Sequence, residues 1–159
     1  SILTKIFVDN SEFLLDISVL YTDVIAEFNE TRKRLVAKSL NLIWQGPPAS
    51  HQCLFVKTSL AKKRKFDLRY PINADYDFIY HVYSTGAKFK YFSDFCISII
   101  DANQGVSKTA RLDLILFKGF LISKKYSKFH EILLLFFIQC LKFFKATFLR
   151  LKKKVLNKK

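Results

Sequence analysis

The chain has 159 residues, half of them hydrophobic and 16% aromatic, with four Gly, three Pro and three Cys. That is enough apolar matter for one domain with a core, and it leaves no room for a linker or low-complexity tract. Cys53, Cys96 and Cys140 are dispersed and form no CxxC pair, which supports neither a zinc site nor a disulfide framework, so buried free thiols in a reducing compartment are expected.

The net charge is +14, and it is uneven. Residues 118–159 carry twelve Lys or Arg and one acid, Glu131, so +11 of the total lies there and the body is near balance. A basic tail on a near-neutral body points to an acidic surface as partner, anionic lipid or nucleic acid. The chain opens at Ser1, holds no Met, and its start SILTKIFVDNSEF lacks the layout of a signal peptide. A fragment of a longer product is expected.

In chain order, residues 1–17 read as helix or irregular structure. Ser18 to Phe28 is β-branched and aromatic enough for a strand. Leu35 to Trp44 predicts a short helix ending at Gly46, and Pro47-Pro48 forces a turn. His51 to Lys57 predicts a buried strand, and Thr58 to Lys65 a basic helix capped by Thr58. Asn73 is placed to cap a helix running to Ser84, with Gly86 where a helix end favours glycine. Ala87 to Phe92 and Phe95 to Asp101 predict two strands. After a turn at Asn103-Gln104-Gly105 the pattern is helical to the end, with a break near Gly119. Short strands alternating with short helices predict an α/β fold.

Two stretches carry residues suited to chemistry. PINADYDFIYHVY places Asp75 and Asp77 in a first helical turn, where the macrodipole favours carboxylates. Residues two apart do not share a helix face, so a paired-carboxylate device is disfavoured. An ionised aspartate at a helix start can act as a general base, or be only a charged helix start. GPPASHQ delivers His51 and Gln52 on a rigid turn; its spacing binds no metal, and a lone His is more often structural.

Taken in order, GPPASHQCLFVK, KFDLRYPINADYDFIYHVY, AKFKYFSD and NQGVSKT resemble the C-terminal half of family 2 glycosyltransferases with the GT-A fold, in the branch that builds colanic acid, capsule and O-antigen sugars. The upstream LYTDVI is similar to that family's "YGD" strand, so the resemblance spans about Leu20 to Ser107. It implies a partial GT-A-like, Rossmann-like sheet over residues 1–117, the acceptor-side part of the domain, with 118–159 as a basic tail. It also implies that Asp75 deprotonates the acceptor hydroxyl, with Asp77 in support and His51, Gln52 and His81 on the acceptor side. Gly105 and Ser107 match a turn that closes the sheet. This sequence has His81 where relatives usually place Arg, Thr22 in place of Gly, and Gln104 in place of the first Gly of the late turn.

The implied donor is a nucleotide-sugar and the implied acceptor a glycan or polyprenyl-linked sugar, at the cytoplasmic face of the cell membrane. In the family, a D-x-D motif in the N-terminal half holds Mn²⁺ or Mg²⁺ against the diphosphate. No D-x-D precedes His51 here, so this chain alone is expected to bind no metal cofactor and no nucleotide-sugar productively. A truncated non-catalytic remnant or membrane-associated binding module is the alternative.

The tail from His130 to Lys159 interleaves Phe and Lys. Its uninterrupted apolar run, Ile132 to Ile138, is seven residues, well short of the roughly 20 needed to span a bilayer. Gln139, Lys142, Lys145 and Lys152 are expected to share a polar sector, which suits an amphipathic helix on an anionic membrane surface. A core-packing terminal helix is the alternative. Nucleic acid ranks last, because no recognised module accompanies the charge.

Overall fold

The computed structural model describes residues 15–103 and 112–156, without the side chains of 112, 146 and 149–156. The expectations for residues 1–14, and for Gln104, Gly105 and Ser107, lie outside the described residues.

Four strands form one mixed sheet around β1, Val19–Phe28. Its VLYTDVIAEF run is buried through nearly its whole length, as expected of a central strand. One edge of β1 pairs in parallel with β4, Phe89–Asp101, from Val19↔Phe89 to Glu27↔Asp101. The opposite edge is shared by two short antiparallel strands. β3, Leu54–Val56, takes Val19 to Tyr21, and β2, Thr31–Leu35, takes Val24 to Phe28.

The strand β2 is absent from the sequence-based expectation, because TRKRL has no apolar alternation. A two-residue turn makes it: Asn29 adopts φ 50°, a conformation Asn tolerates, and folds Thr31 back onto Phe28. All five residues are exposed, and their charges suit an outer strand that must not pair further. Leu35 therefore ends a strand rather than starting a helix, and the helix expected to Trp44 is a six-residue 3₁₀ turn, Leu40–Gln45. The expected strand from His51 begins instead with a 3₁₀ turn, His51–Cys53. The two strands expected either side of Ser93-Asp94 are one, with an irregularity there: Thr22 pairs with Phe92 but Asp23 with Cys96.

Among the described residues the α-helices are α1, Thr58–Lys63, and α2, Ala74–Ser84, before β4, and α3, Leu112–Tyr126, and α4, Phe129–Leu156, after it. Lys57, not Thr58, stands at the N-cap of α1, and no side chain caps it. α2 ends as expected, with Gly86 at φ 78° and its N–H donating to Tyr83 O at 3.0 Å. The expected break at Gly119 is absent; the chain breaks at Ser127-Lys128. Gly119 serves a close approach instead, since a Cβ there would meet Asn73 Nδ2 at 3.3 Å. The position 117/118 falls within α3.

Val19 of β1, Ile43 and Trp44 of the 3₁₀ turn, Tyr76, Phe78, Ile79, Tyr80 and Val82 of α2, Ile122 of α3 and Leu135 of α4 form one buried cluster. The C-terminal helices thus pack on the body. Tyr76 Oη donates to Ile43 O at 2.8 Å, and Ser123 Oγ donates to Trp44 O at 2.6 Å, so the two buried hydroxyls satisfy the carbonyls of the 3₁₀ turn. The architecture is α/β, with helices laid on an open mixed sheet.

Candidate functional site

The start of α2 meets the Pro-Pro turn. Asn73 stands at the N-cap, but its side chain caps nothing; Nδ2 donates to Ile115 O at 3.3 Å and ties α2 to α3. Asp75 accepts from the backbone N–H of Tyr76 through Oδ1 at 2.8 Å. Its other oxygen, Oδ2, lies 3.5 Å from Nδ1 of His51. The imidazole is 63% exposed and the carboxylate 33%. GPPASHQ and PINADYD therefore converge on one solvent-reachable carboxylate beside one imidazole. Gln52, the residue after His51, is exposed, and Ser50 Oγ donates to its Oε1.

Asp77 points the other way and is fully buried. Arg64 Nη2 donates to Oδ2 at 2.6 Å, while Lys125 Nζ at 2.9 Å and Tyr126 Oη at 3.1 Å donate to Oδ1. Burial disfavours the Lys125 ammonium, but hydrogen bonds with Tyr126 and Asp77 outweigh it and hold its pKa above the ordinary value. Burial pushes the Tyr126 phenol up. Asp77 thus ties α2 to α3 and to the end of α1, and neither of its oxygens is open to a substrate.

His81 lies one turn beyond Asp77, its ring 6.0 Å from that of Tyr126. With Leu60, Lys63, Arg64, Val82 and Thr85 it lines a cavity of about 210 Å³. Burial, then the nearby Arg64 cation, hold its pKa below the ordinary histidine value. Among the sequence-predicted residues, then, the fold brings Asp75 and His51 together, leaves Gln52 bonded to Ser50, and sets Asp77 and His81 apart.

A second buried carboxylate escaped the sequence-based list. Asp23, in the middle of β1, is 1% exposed. Ala37 N at 2.8 Å and Tyr91 Oη at 2.6 Å donate to its Oδ1, and Arg34 Nε at 2.7 Å donates to Oδ2. Burial raises its pKa, but the bonds from Tyr91, Ala37 and Arg34 prevail and hold it below the usual carboxylate range. Tyr91 is in turn pushed up to about 12, chiefly by its bond to Asp23. Arg34 also donates to Ser93 O, so the group staples β2 and the irregularity of β4 onto β1. The one available signal was an acid inside the apolar run LYTDVI.

Asp75-Tyr76-Asp77 does not fit a divalent metal, because Asp77 is saturated by two cations and a hydroxyl on the far side of the helix. Among the described residues no group of three or more His, Cys, Asp or Glu lies together as a metal site. Comparison of the chain with known protein families, with curated proteins and with solved structures returned no match.

Proposed function

We propose that this chain is the acceptor-side part of a GT-A-type glycosyltransferase of family 2, with Asp75 as the general base. The observation that supports this reading most is the meeting of the His51 turn and the start of α2, which leaves Asp75 reachable while Asp77 is withdrawn. A base must be within reach of the proton it takes, and Asp75 is a third exposed, with Oδ2 not taken by the Tyr76 N–H. His51, in the 3₁₀ turn that follows Pro47-Pro48, stands beside that carboxylate and can meet a hydroxyl approaching it.

The step is a displacement. The acceptor O–H gives its proton to Asp75, the oxygen forms a bond to the anomeric carbon, and the bond to the nucleoside diphosphate breaks, with inversion. The nucleotide and any Mn²⁺ or Mg²⁺ would be held by a donor-binding half, since the Asp75-Tyr76-Asp77 string does not fit the ion. The product would be a surface polysaccharide or lipid-linked oligosaccharide made at the cytoplasmic face of the membrane.

The test uses the full-length enzyme that contains this chain. Asp75→Asn should lower transfer by about 10³-fold while sparing donor binding. Retained turnover refutes the assignment. Residues 1–159 alone should give no metal-dependent heat with a UDP-sugar in titration calorimetry.

The second reading is a non-catalytic module, and a specific observation favours it: at 3.5 Å on a partly exposed surface, His51 and Asp75 also satisfy a plain ion pair. On that reading the full-length protein shows no transfer, and His51→Gln has no turnover to change. On the catalytic reading it lowers kcat.

A further inference from the structure

The helix α4 is apolar on two sides, and the chain uses only one. Its inner side is pinned by Leu135, 2% exposed, and by Gln139, whose Nε2 donates to Leu116 O of α3 at 3.1 Å. Gln139 therefore does not join Lys142 and Lys145 in a solvated sector, as the sequence pattern had suggested. On the outer side Leu133, Phe137, Leu141, Phe144 and Phe148 recur at helical spacing and are between 49% and 71% exposed. Phe136, Phe143 and, across on α3, Phe117 extend this surface into an open groove of about 340 Å³. Single exposed apolar residues are ordinary, but a continuous aromatic face of this kind marks a docking surface.

We infer that this outer face of α4 docks on an anionic lipid bilayer surface. Charge selects that occupant. Lys145 is exposed at the edge of the stripe, Lys124 and Lys128 are exposed near the α3–α4 corner, and residues 118–159 hold twelve basic residues against one acid. A second copy of the chain would bring two such surfaces together, lysine against lysine, which repels. A bilayer interface takes the phenylalanines among its acyl chains and meets the lysines with phosphate head groups. The helix lies along that surface rather than through it: among the described residues no helix is long and apolar enough to cross a membrane. The inference does not depend on the proposed transfer reaction, because it rests on a different surface.

The experiment is flotation of the full chain with vesicles of phosphatidylcholine alone and of phosphatidylcholine with about one third phosphatidylglycerol. The wild type should float with the anionic vesicles and much less with the neutral ones. Phe137→Ser with Phe144→Ser should cut the partition coefficient about tenfold or more. Lys128→Gln with Lys145→Gln should cut it about tenfold on anionic vesicles and leave the neutral ones unchanged. All four side chains are exposed, so circular dichroism and Tm should stay at wild-type values. Equal flotation of wild type and both variants, or no flotation at all, overturns the inference. So does a concentration-dependent dimer in ultracentrifugation that the Phe pair abolishes in a chain that ignores vesicles, since the face would then belong to a second copy.

Discussion

Asp75 and Asp77 sit two residues apart on one helix, and the chain treats them oppositely. Asp75 faces the open end of α2, a third exposed, with one imidazole at 3.5 Å and one backbone N–H as partners. Asp77 faces inward, fully buried, with two cations and a phenol closing on it. The step of about 100° per residue is the whole cause of the difference: a rotation of about 200° carries one carboxylate to the mouth and the other into the core. Identity of residue type therefore says little about role here. An inward carboxylate must be fully compensated, because an unpaired buried charge is costly, and full compensation removes it from chemistry. The outward one keeps free acceptor capacity.

The sharpest way to break this contrast is to neutralise the inward member. Asp77→Asn leaves Arg64 and Lys125 facing each other without a carboxylate and should cost about 3 kcal/mol, read as a lower urea midpoint at unchanged m. Both cations are about a third exposed, so they can reach water and the loss stays below that of a sealed pair. An unchanged midpoint would mean that Asp77 is as dispensable as a surface charge.

Asp23 extends the contrast to the sheet, with a cost of about 2 kcal/mol for Asp23→Asn. Its pKa is depressed in the folded chain. The stability it contributes is therefore fully present above its unfolded pKa of about 3.9 and is lost as pH falls through the folded value. The gap between wild type and variant should be constant near neutrality and should close below about pH 4. A gap that widens toward acid would reverse the sign and reject the assignment. Next in size is Tyr76→Phe, which removes the hydroxyl from Ile43 O and should cost about 1 kcal/mol in the same melts.

How much of this was legible in the sequence depends on how local each cause is. β1 was legible because its apolar, β-branched run is long, and α2 because an acidic first turn and Gly86 bracket it. β2 was not, since TRKRL becomes a strand only through a turn at Asn29 and a ladder with Val24 to Phe28. That Asp75 and Asp77 must part company followed from helical spacing alone. What encloses Asp77 did not, because Arg64, Lys125 and Tyr126 lie 13, 48 and 49 residues away. Likewise the meeting of His51 with Asp75 is a product of packing between a 3₁₀ turn and the first turn of α2, and no pattern within either stretch encodes it.

The smallest expected effect decides most about the outward carboxylate. Asp75→Asn should change stability by no more than about 0.5 kcal/mol, because the carboxylate is partly exposed, its imidazole partner lies at a long 3.5 Å, and an Asn oxygen can still accept from Tyr76 N. If thermal and urea melts bear this out, a loss of the proposed transfer on the same substitution cannot be put down to unfolding and supports Asp75 as the base. If instead the variant is destabilised as much as Asp77→Asn, both aspartates are structural, the contrast between the two ends of α2 collapses, and Asp75 loses its claim to the chemistry.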